Sequence, residues 1–168
     1  MKLKWIVLLL SLVLACGFIA GGASPRAQTL VAGGTEVRIG DWIPGMGTIE
    51  PGGIIRGWQA EFLDEMLGPA GDFASGSGPV TMNCNLDETM TGPCWGTFVF
   101  SNNIGTWEGT WHGTFNFVTG AGSYMAVGHG IGGLKGMTLH NDVVYPGYAV
   151  SETGTGYVYS TVKSSHGF

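Results

Sequence analysis

Residues 105–139, GTWEGTWHGTFNFVTGAGSYMAVGHGIGGLKGMTL, decide how this chain folds. From position 107 to 117 the odd positions hold aromatic residues or glycine, and the even positions hold Glu, Thr, His or Asn. Because side chains alternate between the two faces of a strand, this pattern predicts a long strand with one apolar face and one polar face. The apolar face consists of Trp107, Gly109, Trp111, Gly113, Phe115 and Phe117.

A glycine turn at 119–122 separates this strand from a second strand that has a nearly bare face. The indoles of Trp107 and Trp111 fit against a strip of backbone without large side chains, and glycine also permits the strong coiling that closes small barrels. The two strands therefore predict a curled sheet around an apolar interior. The bare face carries Tyr124, Ala126, Gly128, Gly130 and Gly132.

The composition indicates an all-β domain. Glycine supplies 31 of the 168 residues without a collagen-like period, and 44% of the chain is hydrophobic, with six Trp and eight Phe. Such a mixture disfavours disorder and suits curved, tightly packed sheet. Alternating segments on both sides of 105–139 bring the total to seven or eight strands joined by short turns. We predict that residues 35–168 form a single antiparallel meander β-barrel of about eight strands, calycin-like in architecture.

One segment leaves its secondary structure open. Residues 54–62 alternate, with Ile54, Trp58 and Phe62 predicted to share one face of a strand. Residues 62–67 suit either the end of that strand or a short helical turn, because periodicity does not separate the two over so few residues.

The N-terminal residues are typical of an export segment. Lys2 and Lys4 precede an uncharged apolar run, which is the order found in secretion signals. Residues 1–23 are therefore interpreted as a signal peptide, and residues 24–34, which are small and polar, as a flexible tether. We expect an exported protein that is secreted, periplasmic or a lipoprotein of the cell envelope.

Three alternatives stay open for the fate of this segment. The residues before Cys16 are similar to a lipobox, which predicts lipidation of that cysteine. Cleavage after a small residue within 20–23 would release the protein instead. An uncleaved segment from 5 to 23 would be about long enough to span a bilayer as a helix.

Cys84 and Cys94 bracket a short segment rich in turn residues. In an exported chain, two cysteines at this spacing favour a disulfide, which would stabilise the fold by roughly 2–3 kcal/mol. A nucleophilic cysteine or a metal pair is the lesser alternative, because the spacing is not C-x-x-C and no second pair exists.

The charge balance excludes some partners. Five basic residues follow Cys16, against twelve acidic ones, which gives that part a formal net charge of −7. A surface of this sign repels phosphate backbones and anionic lipids. We therefore predict no nucleic-acid partner, and membrane contact only through an N-terminal lipid or anchor.

The polar face of the 107–117 strand offers candidate catalytic residues. Glu108 and His112 share this face and are the candidate acid–base groups of an enzyme. Four residues along a strand span roughly 13 Å, which is too far for one metal ion, so neither a metal nor a cofactor is predicted. The simpler interpretation is a solvated polar face. Nucleotide-binding and hydrolase motifs are absent from the sequence.

The glycine turn resembles that of a known family. The run Thr119-Gly120-Ala121-Gly122-Ser123-Tyr124, followed by Ala126 and Gly128, is similar to the TGGTG-x-F/Y signature of allene oxide cyclase and dirigent-like barrels. The resemblance covers about ten residues closely. It implies an eight-stranded barrel with an apolar cavity that binds and steers hydrophobic molecules, commonly as a dimer or trimer. Met125-Ala126 departs from the family pattern, and no catalytic residue is carried over.

Three functions follow as hypotheses. The first is an exported carrier that holds a small hydrophobic ligand against Trp107, Trp111, Phe115 and Tyr124. The second is a cofactor-independent cyclase or isomerase with Glu108 or His112 as a polar group of the cavity. The third is a structural or adhesive envelope protein whose exposed Thr- and Tyr-bearing faces meet a partner.

Overall fold

Eight antiparallel strands form a closed barrel in which each strand pairs with its chain neighbours and the last pairs with the first. The structure is a computed structural model, and it describes residues 27–148 and 154–168. The all-β prediction and the meander order are confirmed. The strands are β1 (Gln28–Ile43), β2 (Ile54–Leu67), β3 (Gly76–Asn85), β4 (Thr91–Ser101), β5 (Gly105–Asn116), β6 (Ala121–Gly132), β7 (Met137–Pro146) and β8 (Gly156–Ser164); a single-turn helix, α1 (Gly71–Ala74), joins β2 to β3.

The start of the barrel domain is a correction to the sequence analysis. The tether predicted at 24–34 gives way to strand at Gln28, since residues 28–36 of β1 pair one by one with β8. These pairs close the barrel, so the small residues of this segment are structural. The proposed signal peptide and Cys16 lie outside the described residues. Within the two described ranges, no helix has the length and apolar character needed to cross a membrane.

The open choice at 62–67 is settled as strand, because β2 continues to Leu67 in register with β1. The face predicted for 54–62 is only partly right. A positive φ of 67° at Gly57 accompanies a register shift between Ile55 and Trp58. Ile55 is consequently fully buried and Ile54 is exposed, which reverses the predicted assignment.

The size complementarity of β5 and β6 is present as expected. Trp107 lies opposite Gly130, and Trp111 opposite Ala126. Both indoles are buried on the inner face. The ring of Phe98 on β4 lies against Gly109, where a Cβ would come within 2.6 Å of this ring. Aromatic rings of the interior therefore occupy the space that glycines on neighbouring strands leave.

One end of the barrel is closed. Helix α1 lies at this end, and its Phe73 carbonyl accepts a hydrogen bond of 2.7 Å from Nε1 of Trp107. Phe73 also packs against Phe168, with ring centroids 5.0 Å apart. Leu134, in the turn between β6 and β7, is fully buried at the same end. The opposite end of the barrel is where β1 meets β2 and β5 meets β6.

The predicted disulfide joins Cys84 on β3 to Cys94 on β4. The two residues are direct partners across the strand pair, and both are buried. The bridge links neighbouring strands of the barrel wall, next to the short β3–β4 turn.

Candidate functional site

A cavity of about 320 Å³ lies inside the barrel, toward the end opposite α1. Its wall is mainly aromatic, and its polar groups come from several strands. Exposed Tyr148 and half-buried Trp42 lie at its mouth. The aromatic hydrocarbon rings of the wall are those of Phe62, Phe98, Phe100, Trp111, Phe115 and Phe117, and the polar lining residues are Glu36, Arg38, Asn116, Tyr124, Asn141 and Tyr145.

Part of this wall is a cluster of four rings from β5, β6 and β7. Trp111 and Phe115 meet edge to face at 6.2 Å, and Trp111 lies 5.4 Å from Tyr124. Phe115 lies 5.8 Å from Tyr145. Alternation on β5 brings Trp111 and Phe115 to one side of the strand, and strand pairing brings the tyrosines beside them. We name these four residues the aromatic cluster.

A carboxyl group lies behind the tyrosines. Glu36 is 2% exposed, and the hydroxyls of Tyr124 and Tyr145 each donate a hydrogen bond to one of its oxygens. Burial, followed by the nearby charge of Glu36, raises the pKa of both tyrosines. Both hydroxyls therefore stay protonated and serve as donors. Two donors on one carboxylate stabilise its ionised form.

A second carboxyl group lies beside the first. Asp64 faces Glu36 across the β1–β2 pair and is 1% exposed. Neither of its oxygens forms a hydrogen bond of normal geometry within the described residues, but Asp64 and Glu36 lie close enough to affect each other's pKa through a shared proton as well as through charge. Burial raises the pKa of Asp64 well above its usual range, and the charge of Glu36 raises it further.

The two acids divide their roles. Burial also raises the pKa of Glu36, but the two tyrosine hydroxyls oppose that effect. No such donor helps Asp64. When the pair holds one proton, that proton belongs on Asp64, and Glu36 carries the negative charge.

Asn141 adds a neutral polar group from β7. Its Oδ1 accepts a hydrogen bond of 2.6 Å from the Ser160 hydroxyl on β8. The side chain is 5% exposed and lines the cavity. Arg38 stands at the mouth, is exposed, and lies 5.9 Å from the centre of the Trp42 ring.

The predicted ligand-binding residues separate into two groups. Trp111, Phe115 and Tyr124 line the cavity, as the carrier hypothesis requires. Trp107 does not line it. That indole is 1% exposed and is held against Phe73 at the closed end, so the structure assigns it to the core.

The predicted catalytic residues lie on the outside of the barrel. Glu108 and His112 are both exposed, because alternation turns them away from the inward-facing Trp107 and Trp111. Glu108 approaches His129 across the β5–β6 pair, with 4.0 Å between Oε2 and Nε2. Neither residue reaches the cavity, which corrects their placement as polar cavity groups.

The structure also reveals site residues that sequence reasoning missed. These are Glu36, Asp64, Asn141 and Tyr145. The signal for Tyr145 was available, since Val143 two positions earlier is apolar and faces the same side. Among the described residues, no group of three or more His, Cys, Asp or Glu side chains is arranged to hold a metal ion.

The fold and the site define an antiparallel barrel with an aromatic cavity and a buried acid pair. No protein-family model and no curated protein matches this chain.

Proposed function

We propose that this chain is a binding protein for one small, largely apolar molecule. The observation that carries the proposal is the cavity itself, whose wall is mainly aromatic. Its 320 Å³ is at the lower end of the range for ligand sites. A ligand of on the order of ten to fifteen non-hydrogen atoms would fill it at the packing density of protein interiors.

The resemblance of the glycine turn to allene oxide cyclase and dirigent-like barrels supports this proposal. The closed eight-stranded meander agrees with the architecture that the resemblance implies. The proposed ligand is therefore a hydrophobic molecule, bound by shape and by contact with the aromatic cluster.

Filling the cavity should abolish binding. Ala126 is 5% exposed and lines the cavity, so Ala126→Phe places a ring in the ligand's space. We expect wild-type protein to bind butylbenzene with one-to-one stoichiometry, and the variant to bind it at least about tenfold more weakly. Isothermal titration calorimetry measures both affinities.

The control uses the same substitution on the other face of the strand. Val127→Phe adds its ring where Val127 is 44% exposed, and should leave the affinity unchanged. A second cavity variant, Val80→Phe on β3, tests the same effect independently in case Ala126→Phe does not fold. Equal losses in Ala126→Phe and Val127→Phe would end the proposal, as would failure of the wild type to bind either butylbenzene or any polar derivative of it.

An enzymatic function is the second candidate. The observation that favours it is a carboxyl pair with raised pKa at a cavity, where acids and bases of catalysis are commonly found. A cofactor-independent isomerase or cyclase would use Glu36 in place of the exposed Glu108. Glu36→Gln should abolish turnover of a polyunsaturated candidate substrate, and Glu108→Gln should leave the rate unchanged. The reverse pattern would remove Glu36 from this role.

We also propose that the protein is exported. The Cys84–Cys94 disulfide supports this, because such bridges persist in oxidising compartments. The intact mass of the mature protein should correspond to a chain that begins after residue 23 or to one that begins at a lipidated Cys16. An intact Met1 on protein recovered from the cytoplasm, with reduced Cys84, would contradict export.

A further inference from the structure

We propose that the ligand is an apolar amine, held as an ammonium ion between the aromatic cluster and Glu36. This inference rests on the proposed binding function and names the chemical class of the ligand. It starts from a charge that the protein leaves without a partner. Within the described residues, Glu36 forms no ion pair with any Lys, Arg or His.

The carboxylate of Glu36 has room for further hydrogen bonds. Two ionised carboxylate oxygens offer about four acceptor sites. The hydroxyls of Tyr124 and Tyr145 fill two of them, and a protonated Asp64 would fill at most one more. An ammonium group supplies three donors and the missing positive charge together.

The need for a positive charge follows from burial. A carboxylate taken out of water without a cation loses hydration that two hydroxyls replace only in part. Asp64, which is also buried and holds the proton of the pair, is neutral and supplies no positive charge to Glu36. A bound ammonium would compensate the charge of Glu36 and lower the electrostatic cost of the pair.

The walls suit a cation as well. Trp111, Phe115 and Tyr124 line the cavity together with Glu36, and aromatic rings attract cations through the negative charge density of their faces. An anionic ligand placed there would be repelled by the carboxylate. The formal net charge of −5 further favours the approach of cations.

Two polar groups of the cavity would favour other ligands, so the test must compare an amine with an acid and an alcohol. Arg38 at the mouth would attract a carboxylate, although its exposure weakens the attraction. The amide nitrogen of Asn141 would donate to a hydroxyl or carbonyl oxygen. Neither group forms an ion pair with Glu36: the charge of Arg38 acts on the Tyr145 hydroxyl, and Asn141 is neutral.

Four compounds with one hydrocarbon skeleton test the proposal. They are 4-phenylbutylamine, 4-phenyl-1-butanol, 4-phenylbutanoate and butylbenzene, titrated into wild-type protein by calorimetry at neutral pH. We expect the amine to bind at least about tenfold more tightly than the alcohol and the acid. An alcohol or acid that equals or exceeds the amine would overturn the proposal, and butylbenzene binding would still support the carrier function.

A variant pair locates the effect. Glu36→Gln removes the charge and should weaken amine binding about tenfold while changing butylbenzene binding less than threefold. Butylbenzene binding also reports that the variant keeps its cavity. Glu61→Gln removes a charge from the outer face of β2 and should change neither. An amine preference that survives Glu36→Gln would overturn the proposal. Failure of all four compounds to bind wild-type protein would remove the carrier function itself.

Discussion

Replacement of Trp107 by Ala is expected to lower the free energy of unfolding by about 3–5 kcal/mol. The indole is 1% exposed and fills the closed end of the barrel. Its loss leaves a cavity against β6, where Gly130 has no side chain that could move in. It also removes one hydrogen bond to the Phe73 carbonyl, which keeps only that from the Asn102 amide. Urea denaturation followed by circular dichroism measures the loss.

Trp95→Ala is the matched control. Trp95 lies on the outer face of β4, is 37% exposed, and has the Arg56 guanidinium 5.0 Å from its ring centre. The same chemical change there should cost about 1 kcal/mol or less, from a partly exposed ring and one cation–π contact. Equal losses in the two variants would show that the inward face of β5 is not the core of the barrel.

The face of β5 could be predicted from the sequence because alternation and residue size agree over ten residues. Trp107 and Trp111 share a side by periodicity alone, and the small residues of β6 suit a position opposite them. Alternation does not tell where each side chain lies along the axis of the barrel, between the end closed by α1 and the opposite end. Trp107 therefore looked like a ligand contact, although α1 places it in the closed end.

The inward face of the second half of β1 is hard to predict from the sequence. Val37 and Ile39 alternate with Arg38 in the manner of a buried apolar face, yet Ile39 is 50% exposed. The inner face carries Glu36, which is 2% exposed. Hydrophobic periodicity therefore indicates the wrong face for this part of the strand.

The acid pair could not be found from local sequence at all. Asp64 follows the alternation of Phe62 and Met66, but an acid at a core position contradicts the usual pattern. Its burial depends on long-range partners. Tyr124 lies 88 residues from Glu36 along the chain, and Tyr145 lies 109 residues away. Only closure of the barrel brings these groups together.

The acid pair should make stability fall as the pH rises. Burial raises the pKa of Asp64 well above its usual range, and burial also raises that of Glu36. Between the unfolded pKa of about 4 and the higher folded pKa, the folded chain keeps protons that the unfolded chain releases. As far as this pair is concerned, the free energy of unfolding should therefore be largest below about pH 4 and decrease as the pH rises toward the folded pKa.

Asp87 contributes with the opposite sign and in a different range. Hydrogen bonds from Thr89 and Thr91 lower the pKa of this exposed carboxyl. Its contribution is present above pH 4 and is lost only as the pH falls below that value. The two effects can thus be separated by the range of pH in which stability changes.

Asp64→Asn should remove most of the alkaline loss. The amide has nearly the same shape and cannot ionise, so the variant should be more stable than wild type at pH 8, by on the order of several kcal/mol, which is the effective penalty of burying an ion. The difference should shrink toward about pH 3, below the unfolded pKa, where Asp64 is protonated in both states. Glu65→Gln, one residue along β2 on the exposed face, should keep the wild-type profile. Urea denaturation across this range measures all three proteins. A slope unchanged in Asp64→Asn would show that Asp64 does not carry the extra proton of the folded state, and the assignment of the negative charge to Glu36 would have to be reversed.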